Sequence, residues 1–156
     1  SKTQAMREAS VSARYAVEAI AREFRLANSY LIADSRDSIT LFSYDENGNE
    51  VSREYALTAC HEDNENMAIC VSINDGEYQP MTSSDINVLK VNEGAIFDDQ
   101  NSGALETMQP FLDINFKIKA ELGKKKTDQF EQTISTTVAA RSYPGFNSSI
   151  PLEQQN

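Results

Sequence analysis

The chain has 156 residues, of which 40% are hydrophobic and 24% charged, and its formal net charge is −10. This composition is typical of one globular domain of ordinary size, so residues 1–156 are expected to form a single domain. The acidic charge argues against nucleic acid as a partner, because phosphate binding needs a clustered basic surface. No run of 18 apolar residues occurs that would span a membrane.

Residues 4–31 carry the pattern of a long amphipathic helix. The stretch lacks Pro and Gly, and its apolar residues recur three or four positions apart, at Met6, Ala9, Ala13, Val17, Ile20, Phe24, Ala27 and Leu31. At about 1.5 Å per residue such a helix spans roughly 40 Å. A first helix of this length favours a chain that is the soluble end of a longer protein, whereas a capping box from Ser1 to Gln4 favours a natural start.

A second face of this helix carries Val11, Tyr15 and Leu26, which a single core does not reach from the same side as the first stripe. Such residues are more often partly covered surface than an interface. They are also what a helix needs to pack against another protein, so we take them as the candidate subunit-interface residues.

Residues 38–141 are predicted to be β-rich. The clearest pattern is the alternation of apolar and polar residues in FLDINFKIKAEL (111–122), followed by a turn and a second strand at 130–141. Further strands are expected at 38–44, about 51–60, about 67–73 and 86–91, with Asn47-Gly48 as a hairpin turn. Residues 142–156 are predicted to be an irregular tail. The predicted class is therefore α+β, a long N-terminal amphipathic helix packed on one antiparallel β-sheet of five to seven strands.

Cys60 and Cys70 fall on the two arms of a predicted hairpin. If they face one another, Ala59 faces Val71 and Leu57 faces Ile73, and these pairs share the apolar face of both strands. A directly opposed pair is close enough for a disulfide, which would contribute about 2–3 kcal/mol. Two buried reduced cysteines are the alternative. An oxidised pair implies the periplasm or the cell exterior.

The sequence offers little for catalysis. His61 is the only histidine, and neither a P-loop nor a Gly-x-Gly-x-x-Gly pattern occurs, so no enzyme, cofactor or catalytic residue is predicted. Residues 61–65, and Asp98-Asp99 with Gln100 and Asn101, could supply oxygens to calcium. Neither cluster has EF-hand spacing, so ordinary solvated loops are the expected interpretation and no metal site is predicted.

Two stretches carry a family resemblance. In AIAREFRLANS (19–29), Ile20, Glu23, Arg25 and Ala27 occupy a pattern of a hydrophobic, an acidic, an arginine and a small residue near a helix end. In residues 111–143 the last strand reads Thr136-Thr137-Val138, with Arg141 shortly after. These stretches and the order of elements resemble the soluble domain of type IV pilin-like proteins, in particular minor pilins and the J-type pseudopilins of type II secretion. Many relatives have Asn after that arginine, whereas this chain has Ser142.

The resemblance implies a structural role in a type IV pilus or a type II secretion pseudopilus. It implies a subunit of the bacterial cell envelope, anchored in the inner membrane by a segment upstream of Ser1, with other minor and major pilin or pseudopilin subunits as partners. The cysteine spacing differs from the large terminal disulfide loop of major pilins, which favours a minor component acting in filament initiation or at the tip. The alternative is a stand-alone extracellular adhesin or ligand-binding module that uses the loop at 92–110.

Overall fold

The computed structural model describes residues 2–99, 110–121 and 129–140. In this part of the chain one helix, α1 (Lys2–Leu26), is followed by nine strands. The strands are β1 (Ser29–Ile32), β2 (Ser38–Tyr44), β3 (Glu50–Thr58), β4 (Ala68–Ile73), β5 (Gln79–Pro80), β6 (Ile86–Leu89), β7 (Phe97–Asp98), β8 (Phe111–Glu121) and β9 (Gln129–Ala139). The predicted tail at 142–156 lies outside the described residues, as do Ser1, Gln100, Asn101 and Arg141.

Strands β1 to β5 form one antiparallel sheet in which each strand pairs with the next along the chain. The predicted turn joins β2 to β3. There the Asp45 carboxylate accepts hydrogen bonds of 2.9 Å from the backbone N–H groups of Asn49 and Asn47, and Gly48 has a φ of 80°. Glycine adopts this left-handed conformation without steric cost. The hydrogen bonds, first that from Asn49, hold the pKa of Asp45 below its usual value.

Strand β8 is the centre of the second antiparallel sheet. It pairs with β9 along its whole length, while β6 and β7 share its other edge, opposite residues 117–120 and 113–114. The predicted alternation is present, because the inward side chains Leu112, Ile114, Phe116 and Ile118 are fully buried. On β9 the matching buried residues are Ile134 and Val138.

Helix α1 packs on β8 and β9 of the second sheet and on β2 of the first, so one core lies between the helix and both sheets. Full burial of a side chain such as Ile20 or Phe24 contributes about 1.5–3 kcal/mol. The Phe24 ring also lies 5.1 Å from the ring of Tyr30 in β1, centroid to centroid. The helix residues of the core are Ala9, Ala13, Ala16, Val17, Ile20, Ala21 and Phe24. The coarse α+β class, an N-terminal helix on antiparallel sheets, is confirmed.

The predicted helix end at residue 31 is wrong by five residues. The helix ends at Leu26, and the backbone N–H of Asn28 donates a 2.8 Å hydrogen bond to the carbonyl of Phe42 in β2, which leads into β1. Asn28 and Ser29 favour breaks over helix interiors, and Tyr30 favours a strand. Leu31 continues the helical spacing in the sequence, yet it is 43% exposed in β1.

The expectation of a single sheet of five to seven strands is also wrong, because the described strands divide into two sheets. Strands β5 and β7 have two residues each, too few for any periodicity to reveal them. The pairing of strands depends on contacts between distant parts of the chain. Local alternation of apolar and polar residues does not encode these contacts. Among the described residues no helix is both long and apolar enough to cross a membrane.

Candidate functional site: the outer face of the first helix

The candidate interface residues Val11, Tyr15 and Leu26 are exposed in the folded chain. Their exposed fractions are 60%, 63% and 57%, the three highest among the large hydrophobic residues described as exposed. At 3.6 residues per turn they lie within about 60° of one another around α1, on the side opposite the fully buried Ile20. We call this surface the outer face of α1. Its three large apolar side chains are more than half exposed in the described structure.

The outer face also carries a set of charged residues that the spacing of its apolar residues does not reveal. All of them fall within an arc of about 120° around the helix axis, centred near Val11. They are Arg7, Glu8, Arg14, Glu18, Arg22 and Arg25. Among the described residues these four arginines form no ion pair, whereas Arg53 of β3 pairs with Glu23 at 3.6 Å. The guanidinium groups next to Val11, Tyr15 and Leu26 are therefore open to the carboxylates of another chain.

A simple charge count would have identified these arginines. The helix holds five of the 14 Lys and Arg residues and three of the 24 Asp and Glu residues, so it carries a net +2. The remainder of the chain, with nine basic and 21 acidic residues, carries −12. The helix and the rest of the chain thus have opposite signs of charge.

The predicted disulfide between Cys60 and Cys70 is present, with the two Cα atoms 6.6 Å apart. The predicted register is wrong by four residues. Cys70 is opposite Ala56, and Cys60 lies beyond the end of β3. A shift by an even number of residues keeps each side chain on its face, and Leu57 and Val71 do pack against the core. Ala59 and Ile73, predicted on the same apolar face, are exposed. Cys70 is fully buried, and the bridge ties the segment after β3 to β4.

The disulfide adjoins a concave surface that we call the acidic groove, defined by His61, Glu62, Asp63, Glu77 and Tyr78. These residues are among those lining a cavity of about 470 Å³, together with Pro80 of β5. The Tyr78 hydroxyl donates a hydrogen bond to the Glu54 carboxylate, which raises the pKa of Tyr78. Within the described residues, Nε2 of His61 is buried without a hydrogen-bond partner.

Within the described residues, the acids of the two clusters considered for calcium are not arranged to hold a cation. The Asp98 and Asp99 carboxylates lie 3.2 and 3.4 Å from the Arg36 guanidinium, and Asp99 also accepts a 2.9 Å hydrogen bond from the Tyr30 hydroxyl. An arginine thus occupies the position that a cation would need. Over residues 2–99, 110–121 and 129–140, no group of three or more His, Cys, Asp or Glu residues is placed to hold a metal ion.

The described part of the 92–110 loop is bound to the core. Ile96 and Phe97 are fully buried, and both of their backbone N–H groups donate to the Arg36 carbonyl, at 3.1 and 3.0 Å. Residues 100–109 lie outside the described residues. A ligand site in this loop stays a prediction.

The fold and the outer face of α1 define an α+β protein with an exposed, mixed apolar and basic helix surface. Comparison with protein-family models, with curated proteins and with solved structures found no match for this chain.

Proposed function

We propose that this protein is a structural subunit of a type IV pilus or a type II secretion pseudopilus, a minor pilin that acts in filament initiation or at the tip. The observation that carries the proposal is the exposure of Val11, Tyr15 and Leu26 on one face of a helix whose opposite face is buried on two sheets. A helix that exposes apolar side chains opposite its buried stripe can serve two packing partners, its own sheets and a neighbouring subunit.

Burial of these side chains by a neighbour would contribute usefully to assembly. Full burial of a Val or Leu side chain is worth about 1.5–3 kcal/mol, and each of these residues is still more than half exposed. Tyrosine and arginine are the residue types enriched at the centres of protein interfaces. The outer face of α1 offers Tyr15 and four arginines in one strip.

The two stretches that resemble pilin-like proteins have positions consistent with this role. Ile20 and Ala27 belong to the core, while Arg25 of the same stretch is exposed at the helix end. The Thr136-Thr137-Val138 run lies in β9, the strand paired with β8. A disulfide suits the oxidising cell envelope, where we place the protein, anchored in the inner membrane before assembly. Other pilin or pseudopilin subunits are the proposed partners, and the role involves no chemical reaction.

A double variant on the outer face of α1 and a matched double control, both made in the full-length gene, test the proposal. Val11→Glu and Leu26→Lys replace exposed apolar residues by residues that suit a helix interior and a helix C-terminus, respectively. We expect this double variant to keep its melting temperature within about 2 °C, because both side chains are exposed. We also expect it to lose co-purification with other filament subunits from the envelope of the source bacterium.

The control changes two exposed apolar residues away from the helix, Tyr44→Lys and Ile73→Glu, whose exposed fractions are 53% and 50%. The control should co-purify like the wild type. If the helix variant assembles as well as the control, the outer face of α1 is not an interface and the proposal fails.

A further inference from the structure

We infer that the outer face of α1 in one copy docks onto the acidic groove of a second copy of this chain. The inference rests on the proposed function, because it names the partner of the same helix face. It starts from the distribution of charge, +2 on the helix and −12 on the remainder, which gives one chain two surfaces of opposite sign.

The acidic surface is continuous in sequence. Residues 54–89 contain no Lys or Arg and seven acidic residues: Glu54, Glu62, Asp63, Glu65, Asp75, Glu77 and Asp85. The fold brings part of this segment together, since Glu62, Asp63 and Glu77 line the acidic groove beside the ring of Tyr78. The Cys60–Cys70 disulfide and the pairing of β5 with β4 connect the two sides of the groove.

The two surfaces match in chemistry as well as in sign. The outer face of α1 has guanidinium groups around exposed apolar side chains, and the acidic groove has carboxylates around an exposed tyrosine. Arginine binds carboxylates through two parallel hydrogen bonds and stacks on aromatic rings, which lysine does less well. Opposite potentials on facing surfaces steer association and select the partner.

The geometry of such a contact has a consequence for assembly. The outer face of α1 and the acidic groove share no residue, so the contact is heterologous, with a different surface on each copy. A heterologous contact leaves one surface of each type unused, and repeating it adds further copies in one direction. Two copies joined in this way keep one outer face and one acidic groove free for the next subunit, as filament initiation requires.

Photo-crosslinking in the full-length chain tests the inference. Tyr15→p-benzoylphenylalanine puts the probe on the outer face, and Tyr44→p-benzoylphenylalanine is the control, since Tyr44 is also an exposed tyrosine but lies in β2. After irradiation of envelopes, we expect an adduct at twice the monomer mass from the Tyr15 probe only. Trypsin cleaves after Arg53 and Lys90, so the acidic segment is a single peptide, 54–90, in which the adduct should map.

Charge reversal gives an independent readout. Arg14→Glu/Arg22→Glu on the helix should reduce the adduct at least fivefold, and so should Glu62→Arg/Asp63→Arg in the groove. A chain that carries both charge-reversed pairs should give at least half of the wild-type yield of adduct. The control Asp34→Arg/Glu46→Arg makes the same change in net charge as the groove pair, at exposed residues outside both surfaces, and should have no effect. Melting temperatures of all variants show that each is folded.

Two outcomes would overturn the inference, and they differ in what they mean for the proposed function. If the Tyr15 probe gives adducts only with other filament subunits, the partner is not a second copy and the proposed function stands. If it gives no adduct at all and the Val11→Glu/Leu26→Lys variant still assembles, both the inference and the proposed function fail.

Discussion

The disulfide should account for a large part of the stability of this chain. The bridged residues are ten apart in sequence, and the chain-entropy relation for such a loop gives about 2.8 kcal/mol at 25 °C. For a chain of this size about 1 kcal/mol corresponds to a shift of roughly 3 °C in melting temperature. Reduction should therefore lower the melting temperature by about 8 °C.

The assay is thermal unfolding followed by circular dichroism, with and without a reductant. Reduction leaves the two sulfur atoms in place, so comparing the reduced with the oxidised wild type isolates the contribution of the S–S bond itself. Cys60→Ala/Cys70→Ala also removes the buried Cys70 sulfur, which lies 3.4 Å from the Thr58 carbonyl oxygen, and should cost about 1 kcal/mol more. The reductant should not affect this variant. Two free thiols in the native protein without reductant, or a shift below 2 °C on reduction, would refute the reasoning.

Three further predictions concern the core and the contact between the sheets. Phe24→Ala should lower the free energy of unfolding by about 3–5 kcal/mol, because Phe24 is fully buried. Leu26→Ala, two residues away at an exposed position, should lower it by under 1 kcal/mol. Equal losses in urea titrations would contradict the packing of α1. Arg36 has a left-handed φ of 61°, so Arg36→Gly should be more stable than Arg36→Ala by about 1 kcal/mol. At most positions alanine is the more stable of the two. If alanine is also more stable here, this backbone is not left-handed. Burial, assisted by the nearby charge of Glu23, raises the pKa of Tyr55 from 10.0 to about 12. The stability that the neutral Tyr55 hydroxyl contributes should therefore be complete below pH 10 and be lost as the pH rises towards 12. Denaturation at pH 9 and pH 11 measures this loss, and Tyr55→Phe should remove that part of the pH dependence.

The hairpin of β8 and β9 could be predicted from the sequence because one of its faces is wet and the other buried. The alternation along β8 therefore indicates which side chains are buried, whichever strand β8 pairs with. The buried stripe of α1 could be predicted for the same reason, since Ala9, Ala13 and Phe24 repeat at the helical period. Local periodicity encodes which side of an element is buried.

Pairing could not be predicted in the same way. The cysteine register was wrong by four residues because Ala56 and Cys60 are an even number of residues apart. Alternation along the sequence therefore cannot decide which of them is opposite Cys70. The helix end was wrong because Leu31 continued the apolar spacing, although the backbone of Asn28 had already bonded to β2. Both errors come from contacts with a distant strand.

The candidate site was predicted in part. The exposure of Val11, Tyr15 and Leu26 followed from their position opposite the buried stripe. The arginines between them were missed because each is an ordinary exposed residue on its own. Their significance appears only when the charge of the helix is compared with that of the remainder.

The most direct test of the pilin-like account is the sequence of residues encoded immediately upstream of Ser1 in the full-length gene. The account predicts a leader ending in Gly, then about 20 apolar residues with an early Glu that would span the inner membrane and continue into α1. A start codon or an ordinary secretory signal directly before Ser1 would contradict it.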